Sequence, residues 1–129
     1  MVSEPYNLIA LRQEFHQFPE LGFNEHRTKA RISGILKDLG LKVYEGIGIV
    51  GILRAGKGNR AIALRADMDA LPIQEVSDHD YPSQNAGVMH ACGHDGHMTS
   101  CWARRKHWQM IPILTARWFL FSSQTKSMG

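Results

Sequence analysis

The sequence predicts an α/β fold on three observations. Two segments near the start carry apolar residues at helical spacing, three short apolar runs of strand length follow, and glycine clusters punctuate the runs. In the first segment Leu8, Leu11, Phe15 and Phe18 recur at helical spacing, and Pro19 ends the pattern. In the second, Asn24 or Thr28 is placed to cap a helix whose apolar face is Ile32, Ile35, Leu36 and Leu39, with Gly40 closing it. The runs Leu41–Tyr44, Ile49–Leu53 and Ala61–Leu64 read as strands. Gly56-Lys57-Gly58-Asn59 reads as the turn joining the last two, which predicts a hairpin and at least one antiparallel pair. Lys57 and Arg60 are expected to be solvated there. Gly96 and His97 are expected to open a later helix, whose amino end favours anionic groups.

At 129 residues the chain fits one small domain or a piece of a larger one, and an ordinary 43% hydrophobic content supplies a core. No apolar run reaches the length of a membrane span and no signal-peptide pattern opens the chain, so a cytoplasmic protein is expected. Two cysteines without such a signal make a thiolate ligand a better expectation than a disulfide framework. The net charge of +3 does not point to nucleic acid, because it is local. Residues 101–129 hold Arg104, Arg105, Lys106, Arg117 and Lys126 and no acid, leaving ten basic and twelve acidic residues elsewhere. Trp102, Trp108 and Trp118 fall in the same tail, so composition breaks near Ser100.

Chemistry concentrates in Met89-His90-Ala91-Cys92-Gly93-His94-Asp95-Gly96-His97. Thiolate, imidazole and carboxylate at this density suit a transition metal, with Cys92 and His94 the leading ligand candidates. The same residues also fit a small buried cysteine beside surface histidines, since Cys-x-His lacks the second pair of a structural zinc site. Asp67 and Asp69 follow an apolar strand, where α/β sheets place their chemistry, but acids there also cap turns and helices. Gly87 and Gly93 give the backbone freedom to bring the Cys/His loop towards them. His90 and His97 fit coordination or hydrogen bonding around a metal; His16, His26, His79 and His107 are expected to be surface or loop residues.

Three segments in register resemble one family. Arg12-Gln-Glu-Phe-His-Gln-Phe-Pro-Glu-Leu-Gly-Phe23, Leu64-Arg-Ala-Asp-Met-Asp-Ala-Leu-Pro-Ile73 and Met89–His97 are similar to the motifs of bacterial hippurate hydrolases and related N-acyl-amino-acid amidohydrolases, within the clan of di-metal carboxypeptidases and aminoacylases. The resemblance covers residues 1–100. It implies the amino-terminal part of a di-zinc-peptidase-like catalytic domain, a mixed sheet flanked by helices, here incomplete. It further implies Cys92 and His94 as ligands in a two-metal centre of zinc, manganese or a similar ion, with Asp69 as the supporting catalytic carboxylate. A water activated by the metals would attack the amide of a small N-acyl amino acid, and a glutamate would shuttle its proton. No nucleic acid or membrane partner is implied, and full-length relatives are expected to be homo-oligomers.

After Ser100 the sequence departs from that pattern, which continues with a small apolar helix and a strand ending in a motif like FQPNEEHG. Reading each codon from its third base turns residues 101–129 into LGAAKTLADDPNFDGTVVFIFQPNEEHG when permissible wobble bases are chosen. Five junctions involving Trp or Met allow no choice and all agree. The expectation is therefore residues 1–100 as family sequence and 101–129 as a frameshifted tail, in a truncated, inactive hydrolase. Two other classes compete: a small non-catalytic metal-binding module, which predicts stoichiometric metal on Cys92 and His94, and a nucleic-acid or membrane-surface binder using the basic, Trp-rich tail. An uncovered sheet edge and apolar residues of the tail predict poor solubility.

Overall fold

The computed structural model describes residues 7–54 and 56–104, and the backbone of residues 116–122. Helix α1 spans Leu8–Gln17 and begins where Asn7 Oδ1 accepts from the N–H groups of Ile9 and Ala10, at 3.0 and 3.2 Å. Helix α2 spans His26–Asp38, and neither expected residue caps it: Glu25 holds the cap position without a side-chain bond. The carboxylate of Glu20 serves instead, accepting from Arg27 N at 3.0 Å, Thr28 N at 2.6 Å and the Thr28 hydroxyl at 2.7 Å. Gly40 closes α2 as expected. Its φ of +76° lets Gly40 N reach Lys37 O and Leu41 N reach Leu36 O, the paired bonds of a Schellman ending.

Strands β1 (Lys42–Glu45), β2 (Ile49–Arg54), β3 (Ala61–Asp67) and β4 (Ala116–Ser122) form one mixed sheet in the order β1-β2-β4-β3. The antiparallel hairpin is β1–β2, with Tyr44 opposite Val50. The predicted hairpin between β2 and β3 does not form: β4 lies between them, antiparallel to β2 and parallel to β3. A turn signal reports a reversal of direction but not which strand fills the space between the two arms. Helix α3 spans His94–Ala103, starting two residues earlier than expected because Gly93, at φ +83°, turns the chain directly into it.

Leu11 and Phe15 of α1, Ile32, Ile35 and Leu36 of α2, and Met98 of α3 share a single core with Ile49 and Ala66 of the sheet. Gly51 lets β2 pass under α2: a Cβ there would sit 3.0 Å from Leu41 and 3.1 Å from Leu36. The composition break at Ser100 is no break in α3, and Cys101 and Trp102 are buried in the core. Trp118, Phe119, Leu120 and Phe121 lie in β4, an interior strand. Lys106, His107, Trp108, Ile111, Ile113, Leu114 and Lys126 lie outside the described residues. No described helix is long and apolar enough to cross a membrane.

Candidate metal centre

The end of β3 and the start of α3 are joined by backbone bonds. Leu71 and Met89 exchange N–H···O bonds of 2.9 and 3.0 Å, and Ala70 N donates to Glu20 O at 2.8 Å. Gly87 and Gly93, at φ +76° and +83°, make the turns between that bridge and α3, as their freedom predicts. Asp69 and His94 are thereby brought together. His94 Nδ1 donates to the Asp69 main-chain carbonyl at 2.8 Å and lies 3.2 Å from Asp69 Oδ1. The single Nδ1 proton serves the carbonyl, so Oδ1 is left buried without a hydrogen bond. This bond fixes the tautomer of His94 and leaves the Nε2 lone pair for a metal.

Cys92 is exposed in the turn before α3, and the His97 ring lies 5.9 Å from that of His94. Cys101 is no substitute ligand: burial pushes its thiol up to about 12. Asp67 ends β3 paired with Arg65 at 3.1 Å, which leaves Asp69 as the carboxylate at His94. His90 is 4% exposed, and neither ring nitrogen has a hydrogen-bond partner. Burial pushes its imidazole down to about 4, so the ring is neutral near pH 7. A thiol, an imidazole nitrogen with fixed tautomer, and buried polar atoms lacking partners fit a transition-metal site.

The expectation that His16 is a surface residue is overturned, whereas His79 is a partly exposed loop residue as expected. His16 is no surface residue; it is 3% exposed, with Nδ1 2.8 Å from Asp95 Oδ2 and Nε2 2.8 Å from Glu75 Oε1. His79 stacks on Tyr81 and places Nε2 2.8 Å from the same Glu75 oxygen. Glu75 also accepts from Ser83 N. Burial alone would raise its carboxyl, but the hydrogen bonds from His16 and Ser83 outweigh that and hold it at about 2. Asp95, fully buried, accepts from Arg12 Nε at 3.1 Å as well, tying α1 to α3. Periodicity places His16 on α1 but cannot show that carboxylates from residues 75 and 95 meet it. The Glu75-x-x-x-His79 spacing was the available signal.

An α/β sheet with a Cys/His loop near a carboxylate beyond the end of a strand is an arrangement compatible with a metallohydrolase. Residues 63–105 match the model of peptidase family M20/M25/M40. The chain is 50% identical over 93 residues to the hippurate hydrolase of Campylobacter jejuni, covering 70% of this chain and 24% of that one. Thermostable carboxypeptidase 2 of Saccharolobus solfataricus is 45% identical over 95 residues, with the same coverages. Among solved structures, the Bacillus subtilis YXEP protein, a dinuclear metal binding peptidase from the M20 family, superposes with a TM-score of 0.78 at 31% identity, over 88% of this chain and 33% of its own. This chain thus spans about a quarter of the length of the curated relatives it matches.

Proposed function

We propose that residues 7–104 form the amino-terminal part of a metal-dependent hydrolase of the amide bond of N-acyl amino acids, with Cys92 and His94 as metal ligands and Asp69 as the carboxylate supporting them. The observation that carries this reading is the bond from His94 Nδ1 to Asp69 O, which leaves the opposite ring nitrogen free of a proton, two residues along the chain from the exposed Cys92. A bound pair of divalent ions such as zinc or manganese would supply an acidic water and polarise the substrate carbonyl. This chain's own part is to hold the ligands: Asp69 sets the tautomer of His94, and the Leu71–Met89 bridge holds the loop against the end of β3. The likeness to a hippurate hydrolase supports an acylated amino acid as the substrate class.

The 129-residue chain alone would bind metal without turnover. Among the described glutamates, Glu14, Glu20, Glu45 and Glu75 are engaged with Arg31, Thr28, Ser33 and His16, and Glu25 is buried at the start of α2. Losing a base costs about two to four powers of ten in rate even in an otherwise intact site. A chimera joining residues 1–100 to the corresponding remainder of the Campylobacter jejuni hippurate hydrolase should hydrolyse hippurate with manganese or zinc, and His94→Ala should abolish this. Full activity in the His94→Ala chimera would sink the assignment.

We also propose that residues 101–129 are read in a shifted frame. The shifted reading puts TVVFIFQ at residues 116–122, the positions occupied by β4. Gene sequence across codon 100 that does not permit this string would refute it.

A further inference from the structure

We propose that His16, Glu75 and His79 form a second metal site, separate from Cys92 and His94, which takes one zinc-type ion and fastens the loop after β3 to α1. Three ligand atoms converge: His16 Nε2 and His79 Nε2 each lie 2.8 Å from Glu75 Oε1, and one donor atom from each residue falls within 4.8 Å of the others. Two histidines and one carboxylate with a water is an established zinc donor set. Tetrahedral zinc with bonds of 2.0–2.2 Å needs its donors about 3.3 Å apart, so each histidine nitrogen has to draw back from Glu75 Oε1 by roughly half an ångström. The His16 and Glu75 side chains are 4% and 3% exposed, whereas His79 at 28% gives an ion a way in and leaves room for the water.

A separate observation points to a metal rather than to a plain ion pair. Asp95 Oδ2 holds His16 Nδ1 at 2.8 Å, so the proton that His16 keeps after metal binding already has its acceptor. A carboxylate behind a histidine in this way is the usual support of a metal ligand. The other rings are placed as well: Tyr81 stacks on His79 at 4.1 Å between centroids, and its hydroxyl takes a bond from Arg12 at 3.0 Å. Without an ion, protons fill the site. His16 donates to Asp95 and Glu75, and His79 donates to Glu75 from Nε2 while Nδ1 accepts from Tyr81 N at 3.3 Å. On binding, His16 releases its Nε2 proton to solvent, and His79 moves its proton to Nδ1 and gives up the long Tyr81 contact. One proton leaves per ion bound.

The experiment is zinc binding by the full 129-residue chain carrying Cys92→Ser and His94→Ala, measured by equilibrium dialysis with metal analysis. One zinc per chain should remain, and adding His79→Ala should weaken it at least tenfold while the far-ultraviolet circular dichroism stays unchanged. Glu75→Gln, which keeps the size of the side chain, should weaken it similarly. No zinc in the Cys92→Ser/His94→Ala chain, or zinc indifferent to both further substitutions, would show a proton-bridged ion pair only and overturn the proposal. The zinc lost between wild type and Cys92→Ser/His94→Ala reports on the other site, so the two assignments fail separately.

Discussion

The first turn of α3 feeds two polar clusters that differ in one respect: one is closed and the other is open. Asp95 faces a network in which Arg12, His16, Glu75, His79 and Tyr81 find partners in one another. Its neighbour His94 sits against Asp69, whose Oδ1 is buried without a hydrogen bond, and both nitrogens of His90, which feels the charges of Asp95, His16 and His94, are likewise unpaired. Buried polar groups in folded proteins are nearly always paired, so the unpaired set is open to a ligand as it stands, whereas a metal enters the closed set only by displacing protons. The closed cluster supplies rigidity for the open one, because Asp95 and His94 are consecutive residues of one helix. Stability should therefore respond oppositely to substitutions on the two sides.

The largest effect is expected at Asp95. Removing it takes the acceptor from the buried His16 Nδ1 and leaves a cavity in the core, while the partly exposed Arg12 can turn to water. Breaking a buried ion pair from one side costs about 3–5 kcal/mol. Urea unfolding of Asp95→Ala should show a loss of that order. A loss below about 1 kcal/mol would mean that the closed cluster contributes no more than a surface ion pair.

His90 provides the contrast. Its ring is buried, neutral near pH 7 and without partners, so the folded state bears the cost of desolvating it with no bond in return. Replacing such a group by an apolar one of similar size is neutral or favourable, and His90→Leu should gain about 1 kcal/mol in the same urea assay. A loss of 2 kcal/mol or more would show that the His90 nitrogens are satisfied in solution, and the distinction between the two clusters would fail.

Features set by neighbours in sequence were legible, and features set by distant contacts were not. Leu11, Phe15, Ile32, Ile35 and Leu36 declare their buried faces through spacing alone, and Gly40 declares its helix end. The pairing of β2 was hidden because its second neighbour, β4, lies more than sixty residues downstream. The cap of α2 was hidden because Glu20 reaches it from outside the helix. At the candidate centre, the proximity of His94 and Asp69 was legible from motif order, since a strand end and a helix start are natural neighbours in an α/β layer. The burial of His16 was not, because a histidine beside Phe15 on an amphipathic helix reads as its polar margin. Only the arrival of Glu75 and Asp95 from elsewhere in the chain makes burial tolerable.

Tyr81 tests how far the closed cluster extends. Its hydroxyl accepts from Arg12 at 3.0 Å, but the pair is only partly buried, and the Arg12 side chain is 40% exposed. The aromatic ring contributes separately, stacked on His79 and edge-on to His16 at 5.5 Å. Tyr81→Phe removes the hydroxyl and keeps both ring contacts. Because water can replace the lost acceptor for Arg12, the cost should be about 0.5–1 kcal/mol, the least of the three substitutions. Tyr81→Ala, which also removes the stack, should cost more. If Tyr81→Phe approached the loss expected for Asp95→Ala, the Arg12–Tyr81 bond would be part of the cooperative interior rather than its rim, and the closed cluster would reach to the protein surface.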